Sequence, residues 1–421
     1  MLGIKIPKYK SISLKKDFIE YKSPDKVYIP LVNGYDTDVT ILVKKGEYVY
    51  KGDMIGKTKG LFRVPIISSV SGVVSDFQEM SYAFGDTVKC VVIENDKNDN
   101  YKEDKEIKKN ISDYTKEEFI EILKDSGIVG MGGSSFPTYV KYECDKKIKT
   151  LIINAVECEP YITADHTIVK NKCQEILETI DAILEINNID EAIIAIKNTN
   201  TELKKYLDDF IGTYLNIKVC LVPDLYPMGW ERNLVKYIKK KQYENIPIEC
   251  NIIVNNVSTI YAMYEALKYK KPLTERIVTI TGDLLKDPIN VCVPIGTPVK
   301  EIIDVVGGYK DSNKILLVAG GPMMGKTVSE NLVVSANLAC VLALSELKND
   351  ELINCLRCGK CVEVCPSKLS PVLIKDNVGN KERLKELLPN RCISCGLCSY
   401  ICPSKILVRE YVNKAKENIK N

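Results

Sequence analysis

The chain has 421 residues, with 59 Lys and Arg against 56 Asp and Glu and a formal net charge of +3, a balance that demands no polyanionic partner and sets nucleic acid aside. A composition of 45% hydrophobic and 27% charged residues is that of globular domains and excludes a fibrous fold or wholesale disorder; at ~100 to 200 residues per domain the length predicts two to four of them. No apolar run approaches the ~18 to 20 residues that cross a bilayer. The opening MLGIKIPKYKSISLKKDF has no apolar core ahead of a small-residue cleavage site, so the chain is expected to stay in the cytosol.

Residues 1–93 read as all-β: VYIPLV, DVTILV, GVVSDF and VKCVVIE are short β-branched runs punctuated by Gly and Asp turns. The stretch VKKGEYVYKGDMIGKTKG and the following IISSVSGVV resemble a lipoyl-like barrel-sandwich. No Lys stands between apolar residues at a hairpin tip, so a docking or packing module is expected, not a swinging arm. Residues 94–114 are dense in mixed charge and predict a solvated linker. Thr115 and Glu118 form a capping box for a helix that shows Phe119, Ile120, Ile122 and Leu123 on one side and stops at Gly127. Then TLIINAV, AIIAIK, KVCLVP and NIIVNN alternate with the helical patterns CQEILETIDAILEI, TELKKYLDDFIG and VSTIYAMYEALKY, which argues an α/β sheet domain over 115–272. Shorter strands (RIVTITG, NVCVPI, KILLVAGG) around TPVKEIIDVVGG suggest a β-grasp module over 273–345. Residues 346–421 are helix plus cysteines, and the fold class is multidomain α+β.

Sixteen Cys are too many for small hydrophobes alone, and a disulfide framework is not expected in a reducing compartment. Eight fall into two runs, CLRCGKCVEVCPSKL and CISCGLCSYICPSKI. Both fit C-x2-C-x2-C-x3-C-P, in which three thiolates of one run hold a cubane and the fourth crosses to the other. Cys355, Cys358, Cys361 and Cys402 are assigned to one 4Fe-4S cluster, and Cys392, Cys395, Cys398 and Cys365 to a second. Zinc is the competing reading, but structural zinc usually takes Cys pairs. Two clusters bridged by crossed ligands form an electron wire.

In the α/β domain, GIVGMGGSSFPTYVK places Gly130, Gly132 and Gly133 between a helix stop and the next element, where bare backbone can approach a flat ring or a phosphate. Asn154, Glu157 and Glu159 in NAVECEPYITAD follow a strand directly, where open α/β sheets bind ligands. Tyr226, Gly229 and Glu231 in YPMGWERNL and the pair Asn255 and Asn256 in IVNNVSTIY complete the outline of a cofactor pocket. His166 is expected to be hydrogen-bonded and structural. Cys158, between two glutamates, should have a raised thiol pKa and be no nucleophile.

These elements in order resemble the NADH-binding flavoprotein subunit of respiratory complex I. More closely they resemble the RnfC component of the Rnf electron-transport complex, to which GMGGSSFPT, INAVECEPYITADH, YPMGWE, GGPMMG and the paired ferredoxin runs are similar. The resemblance implies a lipoyl-like N-terminal domain, an FMN- and NADH-binding domain, an SLBB-like β-grasp module and a two-cluster ferredoxin-type domain. It implies FMN held by Gly130, Gly132, Gly133, Asn154, Glu157, Asn255 and Asn256, with NAD(H) near Phe136, Glu159 and Glu231. It also implies a peripheral component at the cytoplasmic face of a membrane complex, touching the membrane only through its partners and linked indirectly to ferredoxin. A flavin would convert two-electron hydride chemistry into the single electrons that clusters accept. The family's N-terminal glycine-rich segment and a His-containing turn are absent, and PLVNGYDTD stands instead. A second reading therefore stays open: a soluble relative passing electrons from NADH to an amino-acid reductase, such as proline reductase.

A rival from another class rests on GGPMMGKT, which matches G-x4-G-K-[ST] after the strand KILLVA and would make the chain an iron-sulfur P-loop ATPase. That reading requires an amphipathic helix next, and TVSENLVVSANLACVLAL fits a turn and packing segment better.

Overall fold

The computed structural model of the chain describes residues 3–102, 109–311, 314–345 and 352–420. Residues 103–108 of the expected linker and 346–351 at the expected start of the cysteine domain lie outside the described residues.

The N-terminal β module is two facing sheets. Lys26–Pro30, Thr87–Asn95, Gly72–Ser81 and Tyr48–Val49 form one, and Val39–Ile41, Met54–Thr58 and Pro65–Ile67 the other. Alternation along the strands sends Val27, Ile29, Ile55, Ile66, Val74, Val91 and Ile93 into the space between them. Residues 3–25 run elsewhere. Ile4 bridges to Tyr226, and Ile19–Glu20 pairs in parallel with Val291 and Cys292 of a different sheet.

Helix Lys116–Asp125 opens on the expected box: the Thr115 hydroxyl accepts from the Glu118 amide at 3.2 Å, and the Glu118 carboxylate accepts from the Thr115 amide at 2.8 Å. Thr115→Ala should cost about 1 kcal/mol, read as a lowered unfolding midpoint; an unchanged midpoint would show that the cap contributes nothing. Ile111 and Tyr114, at the end of the charged segment, are buried in the α/β core. The sheet of this domain runs Ile217–Val222, Glu191–Lys197, Thr150–Asn154, Ile252–Asn256, all parallel. Chain order advances to one side of the Thr150–Asn154 strand and then returns to the other. The crevice at the carboxyl ends of Thr150–Asn154 and Ile252–Asn256 is therefore a topological switch point, where such sheets bind ligands.

Beyond it, a six-stranded sheet contains Glu275–Thr281, Ile289–Pro294, Cys340–Ser345, Ile315–Ala319 and Lys326–Thr327, edged by the N-terminal Ile19–Glu20. Helix Val299–Val305 packs Val299, Ile302 and Ile303 on its core. The P-loop reading fails here. Lys326–Thr327 is an exposed strand antiparallel to Ile315–Ala319, in the place where a P-loop requires a helix.

The cysteine domain is built from short helices and the longer Val408–Lys420, around Leu369, Ile374, Leu384, Val408 and Val412. Its internal repeat extends to the backbone: φ is 53° and 55° at Arg357 and Ser394, 77° and 79° at Gly359 and Gly396, 55° and 56° at Lys368 and Lys405. Among the described residues no helix is long and apolar enough to cross a membrane.

Candidate functional site

At the switch point the ends of two strands and a glycine loop meet. Asn256 ends one strand and caps helix Val257–Tyr269 through the Ser258 amide. Its amide nitrogen donates to Asp165 at 2.7 Å, and Asp165 also accepts from the Ser258 hydroxyl at 2.6 Å. The Asp165 amide donates in turn to Glu157 at 2.8 Å, whose other oxygen meets the Lys10 ammonium at 3.2 Å. Asn154 donates to the carbonyl of Gly229 at 2.8 Å, tying in the YPMGWE segment. Gly132 lies against this group, since a Cβ there would stand 3.2 Å from Asn256. Gly133, at φ +113°, faces open space. Backbone exposed on one side and packed on Asn256 on the other is a cradle that fits a flavin nucleotide.

Electrostatics mark the same place. Burial pushes the Glu157 carboxyl up to about 7 against the opposing pull of Lys10, and burial likewise raises Asp165. Glu157 holds a left-handed φ of 42°, uncommon for a residue with a side chain and of the kind that collects at functional sites. Cys158 rises to about 11, with burial ahead of the Glu159 charge as cause. His166 pairs through Nδ1 with the Asn200 amide at 3.0 Å.

The other expected residues separate into three places. Asn255 faces the opposite side of its strand, donating to the Tyr142 hydroxyl at 2.5 Å and accepting from the buried Lys141 ammonium at 3.1 Å. Lys141 also donates to the Val254 carbonyl at 2.6 Å; burial lowers its pKa and the nearby Glu231 opposes that. Glu231 starts helix Glu231–Lys239 and accepts from the Tyr243 hydroxyl at 2.9 Å. Phe136 is half-exposed, edge-on to Phe62 of the β module at 5.4 Å. Glu159 is turned toward the 320–325 turn, accepting from the amides of Met323 and Met324 at 2.7 and 3.0 Å. Lys10 and Asp165 join the site, and Asp165 closes the same run NAVECEPYITAD that carries Asn154, Glu157 and Glu159. Nothing in a lysine-rich N-terminus distinguishes the one lysine that reaches Glu157.

The cysteines gather as two quartets. Cys355, Cys358, Cys361 and Cys402 line one cleft; Cys365, Cys392, Cys395 and Cys398 line another. A quartet ringing a space fits the polynuclear cluster that the C-x2-C-x2-C-x3-C-P spacing predicts. Backbone amides already point at sulfur, Leu369 to Cys365 and Ser394 to Cys392, both at 3.3 Å. Cys358 is exposed and Cys395 buried, and the Tyr226 hydroxyl from the pocket wall donates to the Cys395 carbonyl at 2.7 Å.

Family models match along the chain: an RnfC barrel sandwich hybrid domain at 1–98, a Nuo51 FMN-binding domain at 123–265, an SLBB domain at 277–327 and a 4Fe-4S dicluster domain at 354–406. Fold and site together define an electron-transfer component of an oxidoreductase complex, with an FMN-binding domain joined to a 4Fe-4S dicluster domain. The chain is 31% identical over 371 residues to the C component of the proton-translocating ferredoxin:NAD+ oxidoreductase complex of Clostridium ljungdahlii, covering 86% of this chain and 80% of that one. It is 33% identical over 364 residues to the C component of the Na+-translocating ferredoxin:NAD+ oxidoreductase complex of Acetobacterium woodii, covering 84% and 82%. The chain belongs to the RnfC family, the C components of Rnf-type oxidoreductase complexes. To the C component of the ion-translocating oxidoreductase complex of Vibrio cholerae it is 32% identical over 85% of its own length and 47% of that longer protein. In fold it is similar to a chain of an NAD+-reducing NiFe hydrogenase in its H2-reduced state, with TM-score 0.51 and 14% identity over 73% of this chain and 62% of that one.

Proposed function

We propose that this chain exchanges hydride with NAD(H) at a bound FMN and carries single electrons through two 4Fe-4S clusters, as a peripheral component at the cytoplasmic face of an Rnf-type membrane complex. The observation that carries the reading is the contact between pocket and clusters: Tyr226 reaches from the pocket wall to the Cys395 carbonyl, and Tyr226, Met323, Cys395 and Leu397 share one buried cluster with Cys158 against it. Bound FMN would supply the conversion between hydride and single electrons. Gly132 and Gly133 would offer backbone to it, with Asn154, Glu157 and Asn256 as the polar edge, whereas the Gly130 amide and carbonyl are taken up within the loop by the Phe136 carbonyl and the Ser135 amide. Phe136 and Glu231 stand as candidates for the dinucleotide. The quartet containing buried Cys395 is the inner cluster site, and the one containing exposed Cys358 the outer, facing the partner proteins through which ferredoxin is reached.

Anaerobically reconstituted protein should carry roughly eight irons, and NADH should bleach first the flavin and then the cluster absorbance. Folded protein with roughly four irons or fewer would overturn the two-cluster assignment, and flavin unbleached by NADH would overturn the hydride step.

A further inference from the structure

The 320–325 turn, GGPMMG, matches no part of the chemistry assigned above, and its glycines do not serve a phosphate. The Gly325 amide closes the turn on the Gly321 carbonyl at 2.8 Å. A Cβ at Gly325 would fall 2.4 Å from that carbonyl, and one at Gly321 only 2.1 Å from Cγ of Glu159. The two amides that a P-loop would turn to a phosphate, those of Met323 and Met324, both donate to Oε1 of Glu159. An internal carboxylate occupies the turn.

Met323 joins two domains through one residue. Its N–H goes to Glu159, which follows the switch-point strand two residues beyond Glu157. Its carbonyl accepts from Nη1 of Arg409 at 2.6 Å, and Arg409 lines the inner cysteine cleft. The same carbonyl lies against Gly396, where a Cβ would stand 2.6 Å away. Gly396 is the residue after Cys395, at φ +79°. The Met323 side chain is buried with Tyr226, Val364, Cys395 and Leu397.

We propose that Glu159 is a positioning residue: its carboxylate latches the 320–325 turn, and through Met323 the Cys395 loop, to the wall of the cofactor pocket, fixing the separation between pocket and inner cluster. This deepens the reading above and rests on it. Amides donating to a buried carboxylate form charge-assisted bonds, about twice as strong as neutral ones. A group held by preorganised contacts loses rate steeply when it shifts by about 1 Å. The resemblance to the complex I flavoprotein implies a dinucleotide contact for Glu159, whereas here both amides of the turn take up its Oε1.

The test compares Glu159→Ala, Glu159→Gln and Gly321→Ala in the full-length, flavin- and iron-loaded protein. Gln keeps an oxygen acceptor for both amides; Gly321→Ala drives a methyl into Glu159 and should copy Glu159→Ala. Hydrogen exchange at the Met323 and Met324 amides should be about 10- to 100-fold faster in the two Ala variants and close to wild type in Glu159→Gln. In single-turnover mixing with NADH, flavin bleaching should hold its rate in the Ala variants while cluster bleaching slows by roughly tenfold or more. Unchanged exchange at Met323 and Met324 would overturn the latch. So would slowed flavin bleaching with a raised KM for NADH and an intact second phase, which would place Glu159 on the dinucleotide. Wild-type flavin that NADH fails to bleach would remove the function reading instead, and the exchange result would still judge the latch.

Discussion

Replacing Cys365 with Ala should remove the cluster of the second cysteine run, not of the run in which Cys365 stands. Cys365 lines the cleft of Cys392, Cys395 and Cys398, whereas Cys402 lines that of Cys355, Cys358 and Cys361. Burial and then the nearby Cys402 and Cys355 raise the Cys361 thiol, while Cys392 is the cysteine that weighs on Cys365. Each single variant should fall from roughly eight irons to roughly four. The pairs then discriminate, because losses within one unit do not add. Cys365→Ala with Cys392→Ala should keep roughly four irons, and Cys365→Ala with Cys355→Ala should keep almost none. Equal iron in both pairs, or the reverse order, would refute crossed ligation. The kinetic consequence is also directional: without the inner cluster, NADH should still bleach the flavin and electrons should fail to reach the outer one.

Much of this architecture is legible in the sequence because its signals are local. The helical patterns beginning at Cys173 and Val257 appear as Cys173–Ile186 and Val257–Tyr269, since apolar periodicity is a property of the segment itself. The crossed cysteine spacing is equally local, and the structure gathers the same quartets. The Asn255 and Asn256 pair is half legible. Successive strand residues point to opposite faces, so one of them has to leave the pocket, and Asn255 pairs with Tyr142 and Lys141 instead.

What escapes depends on pairs far apart in the chain. Lys10 meets Glu157 only because residues 3–20 run along two other domains, away from the β module. A two-residue strand such as Ile19–Glu20 carries no periodicity to read. GGPMMGKT reads as a P-loop for a related reason: a glycine turn that seats a carboxylate has the composition of one that seats a phosphate. The distinguishing residue, Glu159, lies more than a hundred positions earlier.

The buried acid at the switch point should make stability depend on pH in a defined window. Glu157 is lifted from an ordinary 4.5 to about 7, by burial first, with Lys10 pulling it down and Asp165 pushing it up. The folded chain thus holds this proton more tightly than the unfolded one. Below about pH 4.5 both states are protonated and the group contributes nothing; as pH rises from there through about 7 the unfolded chain ionises first, so stability is lost, and the loss levels off above. At 1.36 kcal/mol per unit the full loss is about 3 kcal/mol. Glu157→Gln should therefore flatten the fall in thermal midpoint of the α/β domain between about pH 4.5 and 7, leaving only the share of Asp165, which burial also raises. Lys10→Met should do the opposite. Its ammonium is the favourable partner of ionised Glu157, so removing it lifts the carboxyl further and extends the falling limb to higher pH. Parallel pH profiles in all three proteins would mean that Glu157 is already ionised across the range and that solvent or a counter-charge reaches it.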